Sequence, residues 1–249
     1  MMRKLIIGNW KMNGVSPDIP EIVAIGEVAN NYRNVDSGLC LPATLVHRAA
    51  SSLPGFDIGG QDCGMAQSGA HTGCVSATML IDAGARMTII GHSERRADQH
   101  ETDADVCAKA VAAHAEGLRA IVCIGESLEQ RDSGQALEFV LGQLEPSLPD
   151  NSDGAWLSVA YEPIWAIGTG RIPEGADVAE MHAAIRKKLV SRFGDSGNAF
   201  RILYGGSMNG DNAAMLLSIL DVNGGLIGGA SLTAAKFEPI LTAAADASE

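Results

Sequence analysis

The sequence predicts an α/β fold, specifically a single parallel (β/α)8 barrel that spans residues 1–249. Eight short apolar runs alternate along the whole chain with amphipathic helical segments, and no change in composition marks a linker between them. Apolar parallel strands need both faces of their sheet covered. A length of 249 residues, 46% of them hydrophobic, suits one barrel, because closure removes the edges of the sheet.

The predicted strands are short, apolar and followed by polar residues or glycine. They cover residues 5–7, 38–42, 56–62, 87–91, 120–124, 157–161, 202–204 and 225–227. The sixth strand is expected to stop at Glu162, because the next residue, Pro163, has no N–H with which to continue the ladder.

The spacing of apolar residues and the local composition predict the connecting helices. They cover residues 17–32, 44–50, 76–80, 104–115, 137–144, 178–193 and 212–220, with a last Ala-rich helix after residue 231. The segment 61–73 is polar, Gly-rich and longer than an ordinary strand-to-helix turn, which suggests that it has a function of its own. The competing fold is an open, doubly wound sheet, but its Gly-x-Gly-x-x-Gly turn is absent, since Asn-Trp-Lys follows Gly8.

Composition excludes several classes of function. A net charge of −12 and only 4% aromatic residues argue against binding to nucleic acid or to an acidic membrane surface. Five cysteines, odd in number and without a C-x-x-C pair, do not suggest disulfides or a zinc site. The apolar run near the N-terminus is too short for a signal peptide or a membrane span. We therefore expect a reducing, cytoplasmic setting.

In a closed barrel all strands end at the same mouth, so the residues that follow them converge there. These residues are Asn9, Lys11, His92, Glu162, Ser207, Gly228 and Gly229. Of the six histidines, only His92 directly follows a strand; the alternative is an ordinary half-buried polar histidine. Glu162 is followed by an apolar tip and flexible glycines, a composition typical of a lid, although a strand that ends in a solvated surface loop would look similar.

Two glycine-rich exits favour an anion site. Gly205-Gly206-Ser207 and Gly228-Gly229-Ala230-Ser231 follow neighbouring strands and expose backbone N–H groups that side chains do not cover. The alternative is that these glycines only relieve crowding at tight turns. A lysine, a histidine, a carboxylate and an anion site together suffice to move a proton next to a carbonyl without a cofactor. The sequence shows no metal-ligand spacing and no nucleotide-binding loop.

Six stretches, in order along almost the whole chain, resemble the triosephosphate isomerase family. They are residues 8–14, 91–96, 123–126, 160–170, 204–207 and 228–232. The resemblance implies that Glu162 removes a proton from the carbon beside the carbonyl of dihydroxyacetone phosphate or glyceraldehyde 3-phosphate. It implies that neutral His92 donates to the oxygen, that Lys11 supplies positive charge and that Asn9 positions the substrate.

The resemblance also implies how the substrate is held and covered. Backbone N–H groups of Gly168, Ser207, Gly228 and Gly229 would bind the phosphate, and no cofactor or metal would be needed. Ile167 and Leu226 would close over Glu162 and exclude water. Glu126 would hold the Trp165 indole and Glu94 would pair near Lys11, with solvated surface carboxylates as the alternative for both.

The segment 61–73 matches the loop that inserts into the partner subunit of family dimers, so a homodimer is implied. Thr72 would lie near the partner's Asn9 and the partner's Lys11. Here the sequence departs from the family pattern, which has an aromatic residue in place of His71 and a glutamate in place of Cys74. That glutamate pairs with the arginine that corresponds to Arg95 of the other chain, and its loss puts the strength of the dimer in question.

Two other functions stay open at this stage. A phosphate-binding barrel can act on a different sugar phosphate, although the closeness of the lid to the base leaves little room for a bulkier one. A binding or scaffold protein can retain the fold without activity. The intact set of Asn9, Lys11, His92 and Glu162 argues against that second alternative.

Overall fold

The computed structural model describes residues 2–167 and 173–248. Eight parallel strands form a closed barrel in chain order, and the eighth strand pairs with the first. The predicted (β/α)8 barrel is therefore confirmed. Within the described ranges, no helix has the length and apolar character needed to cross a membrane.

The strands begin and end within a few residues of the predicted positions. They are β1 Leu5–Asn9, β2 Asp36–Cys40, β3 Asp57–Gly60, β4 Met87–Ile90, β5 Arg119–Glu126, β6 Leu157–Pro163, β7 Arg201–Tyr204 and β8 Gly224–Ile227.

The helices cover the outside of the barrel. They are α1 Ile19–Ala29, α2 Ala43–Ser52, α3 Ala77–Asp82, α4 Ser93–Asp98, α5 Asp103–Ala115, α6 Leu128–Asp132, α7 Ala136–Ser147, α8 Gly175–Phe193, α9 Ala213–Ser218 and α10 Ala234–Asp246. The short helices α4 and α6 were not predicted, and each begins directly after a strand exit that carries polar residues. Pro146, expected to lie beyond the end of a helix, is in the last turn of α7.

The predicted end of the sixth strand is wrong. β6 continues through Glu162 and Pro163, which pair with Gly125 and Glu126 of β5. Pro163 has a φ of −68°, and at the last position of a strand its missing N–H removes a single ladder bond. As a result, the Glu162 backbone is part of the barrel wall, and its side chain is fixed more firmly than a loop residue would be.

Alternate residues of the strands fill the barrel interior, as the two-residue period requires. The interior cluster consists of Leu5, Ile7, Cys40, Met87, Ile89, Ile121, Cys123, Ala160, Leu203 and Leu226. The residues between them point outward and pack against the helices in a second, larger cluster. All eight strands are thus buried on both sides, which explains why they read as continuous apolar runs.

A buried polar contact lies where α8 packs on the barrel. His182 is fully buried, its Nδ1 lies 3.0 Å from the Asp221 carbonyl oxygen, and its ring meets the edge of Tyr161. Burial lowers the pKa of His182 from its ordinary 6.5 to about 4. Folding therefore requires this histidine to be neutral.

The packing of β5 against β6 leaves no room for an added methyl group, so a glycine-to-alanine substitution tests it. A Cβ at Gly125 would lie 1.9 Å from the Glu162 carbonyl oxygen, whereas a Cβ at Gly142 on α7 would meet nothing within 4 Å. Gly125→Ala should lower the free energy of unfolding by at least about 2 kcal/mol. Gly142→Ala should raise it by about 0.5–1 kcal/mol, because alanine favours the helix. Urea unfolding at fixed protein concentration measures both changes, and equal effects would contradict the tight β5–β6 packing.

The buried histidine predicts an acid-sensitive fold. Because the unfolded chain binds a proton at His182 below pH 6.5 and the folded chain does so only near pH 4, stability is retained above pH 6.5 and lost as the pH falls towards 4. This loss amounts to at most about 3 kcal/mol. His182→Asn keeps a short polar side chain without the titration. Urea unfolding at pH 7.5 and pH 5 should show a smaller difference for this variant than for the wild type, and an unchanged difference would contradict the assignment.

Candidate active site

The residues predicted to converge at the carboxyl end of the strands do so. Asn9 ends β1, His92 follows β4 and caps α4, and Glu162 lies near the end of β6. All three are buried in spite of their polarity. A buried polar group is stable only with hydrogen-bond partners, so the contacts among these residues define the site.

Three donors hold the Glu162 carboxylate, which is only 1% exposed. His92 Nε2 lies 2.8 Å from Oε1. The Ser93 hydroxyl donates to Oε1 at 3.2 Å, and the Ser93 backbone N–H donates to Oε2 at 2.9 Å. Ser93 is the first residue of α4, so the carboxylate also faces the positive end of this short helix. Ser93 lies in the stretch 91–96 that resembles the family, but no pattern in the sequence predicts this role for it.

The hydrogen bonds of His92 identify its tautomer. Its Nδ1 accepts the backbone N–H of Glu94 at 3.3 Å, so Nδ1 carries no proton. The ring proton is therefore on Nε2, where it points to Glu162. In this arrangement the imidazole is an N–H donor directed towards the centre of the mouth.

Lys11 has an unusual backbone that neighbouring side chains hold in place. Its φ is +52°, a conformation that residues other than glycine seldom adopt. Asn9 Oδ1 accepts the Lys11 backbone N–H at 3.0 Å, and Gln61 Nε2 donates to the Lys11 carbonyl oxygen at 2.9 Å. Lys11 Nζ lies 2.5 Å from Glu94 Oε1, so the expected Glu94–Lys11 pair is present. Asn9 thus positions the lysine through its backbone.

Gln61 was not among the predicted site residues. Its side-chain nitrogen lies within hydrogen-bond distance of Asn9 Oδ1 at 3.2 Å and of the Cys40 carbonyl oxygen at 3.2 Å, besides Lys11. It follows β3 directly, just as Asn9 and His92 stand at the ends of their strands. The strand predicted over residues 56–62 included Gln61, so Gln61 was not among the residues expected to follow a strand.

The glycine-rich exits lie at the same mouth. Gly228 is close to Lys11, since a Cβ built on it would lie 3.6 Å from the lysine Cε. Gly229 begins a single 3-10 turn that ends at Ser231, whose hydroxyl donates to the Gly228 carbonyl oxygen at 2.7 Å. The Ser207 hydroxyl donates to the Ala166 carbonyl oxygen at 3.0 Å, which connects the exits of β7 and β6. Gly168, the remaining predicted phosphate ligand, lies outside the described residues.

A second buried carboxylate supports the segment that follows β6. Glu126 Oε1 accepts hydrogen bonds from Trp165 Nε1 at 2.9 Å and from the Tyr161 hydroxyl at 3.0 Å, so the expected Glu126–Trp165 contact is present. Burial raises the pKa of the Glu126 carboxyl, and the two donors partly oppose this change. Leu226 lies inside the barrel, 3% exposed. The closure of Ile167 over the site stays a prediction.

The described part of the chain contains no group of three or more His, Cys, Asp or Glu side chains placed to hold a metal ion. The site consists instead of a buried carboxylate, a neutral N–H donor, a lysine and glycine-rich backbone. These groups are suited to the transfer of a proton and to the binding of an anion.

Comparison with known proteins agrees with this geometry. The family model described as triosephosphate isomerase matches residues 4–244. The triosephosphate isomerase of Hyphomonas neptunium is 51% identical over 98% of this chain and 100% of its own length. That of Ruegeria pomeroyi is 53% identical over 98% of each. The crystal structure of triosephosphate isomerase from Bartonella henselae superposes with a TM-score of 0.92 at 47% identity, covering 97% of this chain and 99% of the other. The chain belongs to the triosephosphate isomerase family.

Proposed function

We propose that this protein interconverts dihydroxyacetone phosphate and D-glyceraldehyde 3-phosphate, a glycolytic reaction that also runs towards gluconeogenesis, with residues 1–249 acting as one domain. The observation that carries the proposal is the buried Glu162 carboxylate, 2.8 Å from the N–H of a neutral His92. One group accepts a proton and the other donates one, and both face the same mouth. An aldose–ketose isomerisation needs these two functions and no net oxidation.

The proton moves in two balanced steps. Glu162 takes a proton from the carbon next to the carbonyl, and the electron pair of that bond forms the enediolate. His92 Nε2–H stabilises the oxygen on which negative charge develops and exchanges a proton with it. Lys11 adds positive charge at the same place. Glu162 then returns the proton to the neighbouring carbon, and the aldehyde or ketone forms again.

The resting contacts must change for this chemistry to occur. The Nε2–H of His92 cannot donate fully to Glu162 and to a substrate oxygen at the same time. Both oxygens of Glu162 are also occupied, one by the Ser93 backbone N–H. Substrate binding therefore has to move the carboxylate away from Ser93, so that His92 faces the substrate oxygen and Glu162 faces the carbon.

The phosphate of the substrate is assigned to the glycine-rich exits. Ser207, Gly228 and Gly229 stand at the ends of β7 and β8, and Gly228 is near Lys11. We assign Gly168 to the same task. In a chain with a net charge of −12, an anion has to be held by local N–H dipoles and this lysine. Binding the remote phosphate then fixes the reacting carbon next to the base. Ile167 and Leu226 would exclude water from the closed site.

We further propose that the protein works as a homodimer. A cavity of about 1040 Å³ lies between the loop from Gln61 to Ser76 and the residues around Lys11. Three methionines on its rim are exposed: Met12 at 98%, Met65 at 53% and Met79 at 55%. Such an apolar rim next to an open cavity suits a second copy whose Thr72 loop fills it. Cys74 stands where the family pattern has a glutamate that pairs with the arginine of the other chain. Arg95 is paired nonetheless, because it contacts Asp62 at 2.8 Å and Glu101 at 2.6 Å in its own chain.

The proposed location is the cytoplasm. All five cysteines are free thiols, among them Cys74, which is exposed. Exposed thiols persist in a reducing compartment.

The activity is tested by a coupled assay of the interconversion in both directions, with EDTA present. We expect rapid turnover, with kcat/KM towards the diffusional limit of about 10⁸–10⁹ M⁻¹s⁻¹. The absence of turnover with both triose phosphates would contradict the proposal.

The base is tested by Glu162→Asp, which withdraws the carboxylate by one methylene and keeps its charge. We expect kcat to fall by a factor of about 10² to 10³ while KM changes little, because the lost geometry matters mainly in the transition state. Glu138→Asp makes the same change on the exposed surface of α7 and should have no effect. Near-normal turnover of Glu162→Asp would remove Glu162 from the mechanism.

The dimer is tested by sedimentation of the wild type, of Thr72→Arg and of Asn198→Arg. Thr72 lines the cavity, and Asn198 is exposed in the 3-10 turn after α8. We expect a dimer for the wild type and Asn198→Arg, and a monomer with at least about tenfold lower kcat/KM for Thr72→Arg, because a charged side chain does not fit the buried interface. A wild type that is monomeric at micromolar concentration and fully active would contradict the proposal.

A further inference from the structure

The end of the barrel opposite the active site is closed by charged side chains. Asp36, Asp57, Arg119 and Arg201 begin β2, β3, β5 and β7. Arg119 and Arg201 each stand two residues before an interior residue of the barrel, Ile121 and Leu203. Arg201 pairs with Asp36 across two intervening strands, and Arg119 pairs with Asp57 across one. This set of four residues is called the basal cluster below.

Two further arginines give the region around the basal cluster an excess of positive charge. Arg3 lies 3.6 Å from Asp36, and Arg86 lies 3.8 Å from Asp57, so each aspartate is shared by two arginines. Four guanidinium groups therefore surround two carboxylates, in a chain whose net charge is −12. This local imbalance favours an anion at the basal end.

A small cavity lies within this region. It has a volume of about 50 Å³ and is lined by Arg119 and Arg201, by Trp156 and Ser158 and, on its apolar side, by the interior residues Leu5, Met87 and Ile121. One water molecule needs about 10–15 Å³, so the cavity can hold a group of several heavy atoms but not a triose phosphate.

The lining includes a buried donor without a partner. Trp156 is only 9% exposed, and its Nε1 makes no hydrogen bond to any part of the described chain. The Trp156 indole N–H is therefore an unsatisfied donor in the wall beside the cavity, where its signal is sensitive to a bound group. Each arginine contributes Nη2 to its aspartate. Within residues 2–167 and 173–248, the Nε and Nη1 groups of both arginines donate no hydrogen bond.

We propose that the basal cavity binds a small tetrahedral oxyanion of the size of inorganic phosphate or sulfate. The Ser158 hydroxyl and the guanidinium groups of Arg119 and Arg201 are its ligands, and the Trp156 side chain forms part of the cavity wall. Guanidinium groups are well matched to oxyanions in geometry and charge. The bound anion joins the starts of β5, β6 and β7 and stabilises the folded chain by mass action, without competing with substrate at the other end.

The test follows the Trp156 indole N–H by ¹H–¹⁵N NMR of the full-length protein during titration with sodium phosphate, with sodium chloride at equal ionic strength as control. Trp10 donates to the Ser231 carbonyl oxygen and Trp165 to Glu126, so their indole signals are internal references, the second for the active site. Trp156→Phe assigns the signal. We expect a saturable shift of the Trp156 signal with phosphate that substrate does not reverse. No shift up to 50 mM phosphate, or an equal shift with chloride, would overturn the proposal.

A matched pair of variants tests the ligands. Arg119→Gln and Arg86→Gln remove the same charge from the same aspartate, Asp57, but only Arg119 lines the cavity. We expect the phosphate dissociation constant to rise about tenfold in the first and less than twofold in the second. Equal weakening would show a diffuse charge effect and overturn the site. If Arg119→Gln does not fold, Ser158→Ala should weaken binding at least about twofold, and unchanged affinity would count against the proposal. Isomerase activity is measured in a separate assay. Failure of the proposed isomerase function can therefore be distinguished from failure of the proposed anion site.

Discussion

The active site depends on burying one carboxylate at the mouth of a barrel. Removing an ion from water is expensive unless hydrogen bonds and opposite charge compensate for it. Glu162 meets this requirement through the backbone and hydroxyl of Ser93 and the N–H of His92. These donors are available because α4 begins directly at the end of β4. A short helix that the sequence pattern did not indicate is therefore what keeps the base in place.

The same helix determines the state of the histidine. As the N-cap of α4, His92 accepts a backbone N–H on Nδ1, and this places its proton on Nε2. One structural feature thus orients a carboxylate and a neutral donor towards a common space. Lys11 reaches this space from β1 with a backbone conformation that only its contacts with Asn9 and Gln61 make acceptable. The site uses ordinary side chains, and the fold determines their positions relative to one another.

Much of this arrangement could be predicted from the sequence, and the missing parts have physical causes. Apolar runs identify buried parallel strands well, so the barrel and the convergence of Asn9, His92 and Glu162 followed from the order of the elements. The extension of β6 through Pro163 was missed because proline propensity is a local rule and pairing with β5 overrides it. Gln61 and Ser93 act through contacts between segments distant in sequence, and no local pattern reveals those.

The grouping of charged residues at the basal end could not be predicted from the sequence either. Asp36, Asp57, Arg119 and Arg201 are spread over 166 residues, counting both ends, and each looks like an ordinary charged residue before a strand. Only closure of the barrel brings them together at one end. The apolar interior of the barrel is therefore flanked by a polar region at each end. At both ends, closure of the barrel brings together charged residues that are far apart in the sequence.

The most direct test of the account is a crystal structure with an unreactive analogue of the triose phosphate in the mouth. If Glu162 is the base, its carboxylate must leave Ser93 and face the carbon of the ligand, while His92 Nε2 lies about 3 Å from the carbonyl oxygen. The account predicts this exchange of partners. A bound analogue with Glu162 still on Ser93 and His92, and with neither group near the reacting atoms, would contradict it.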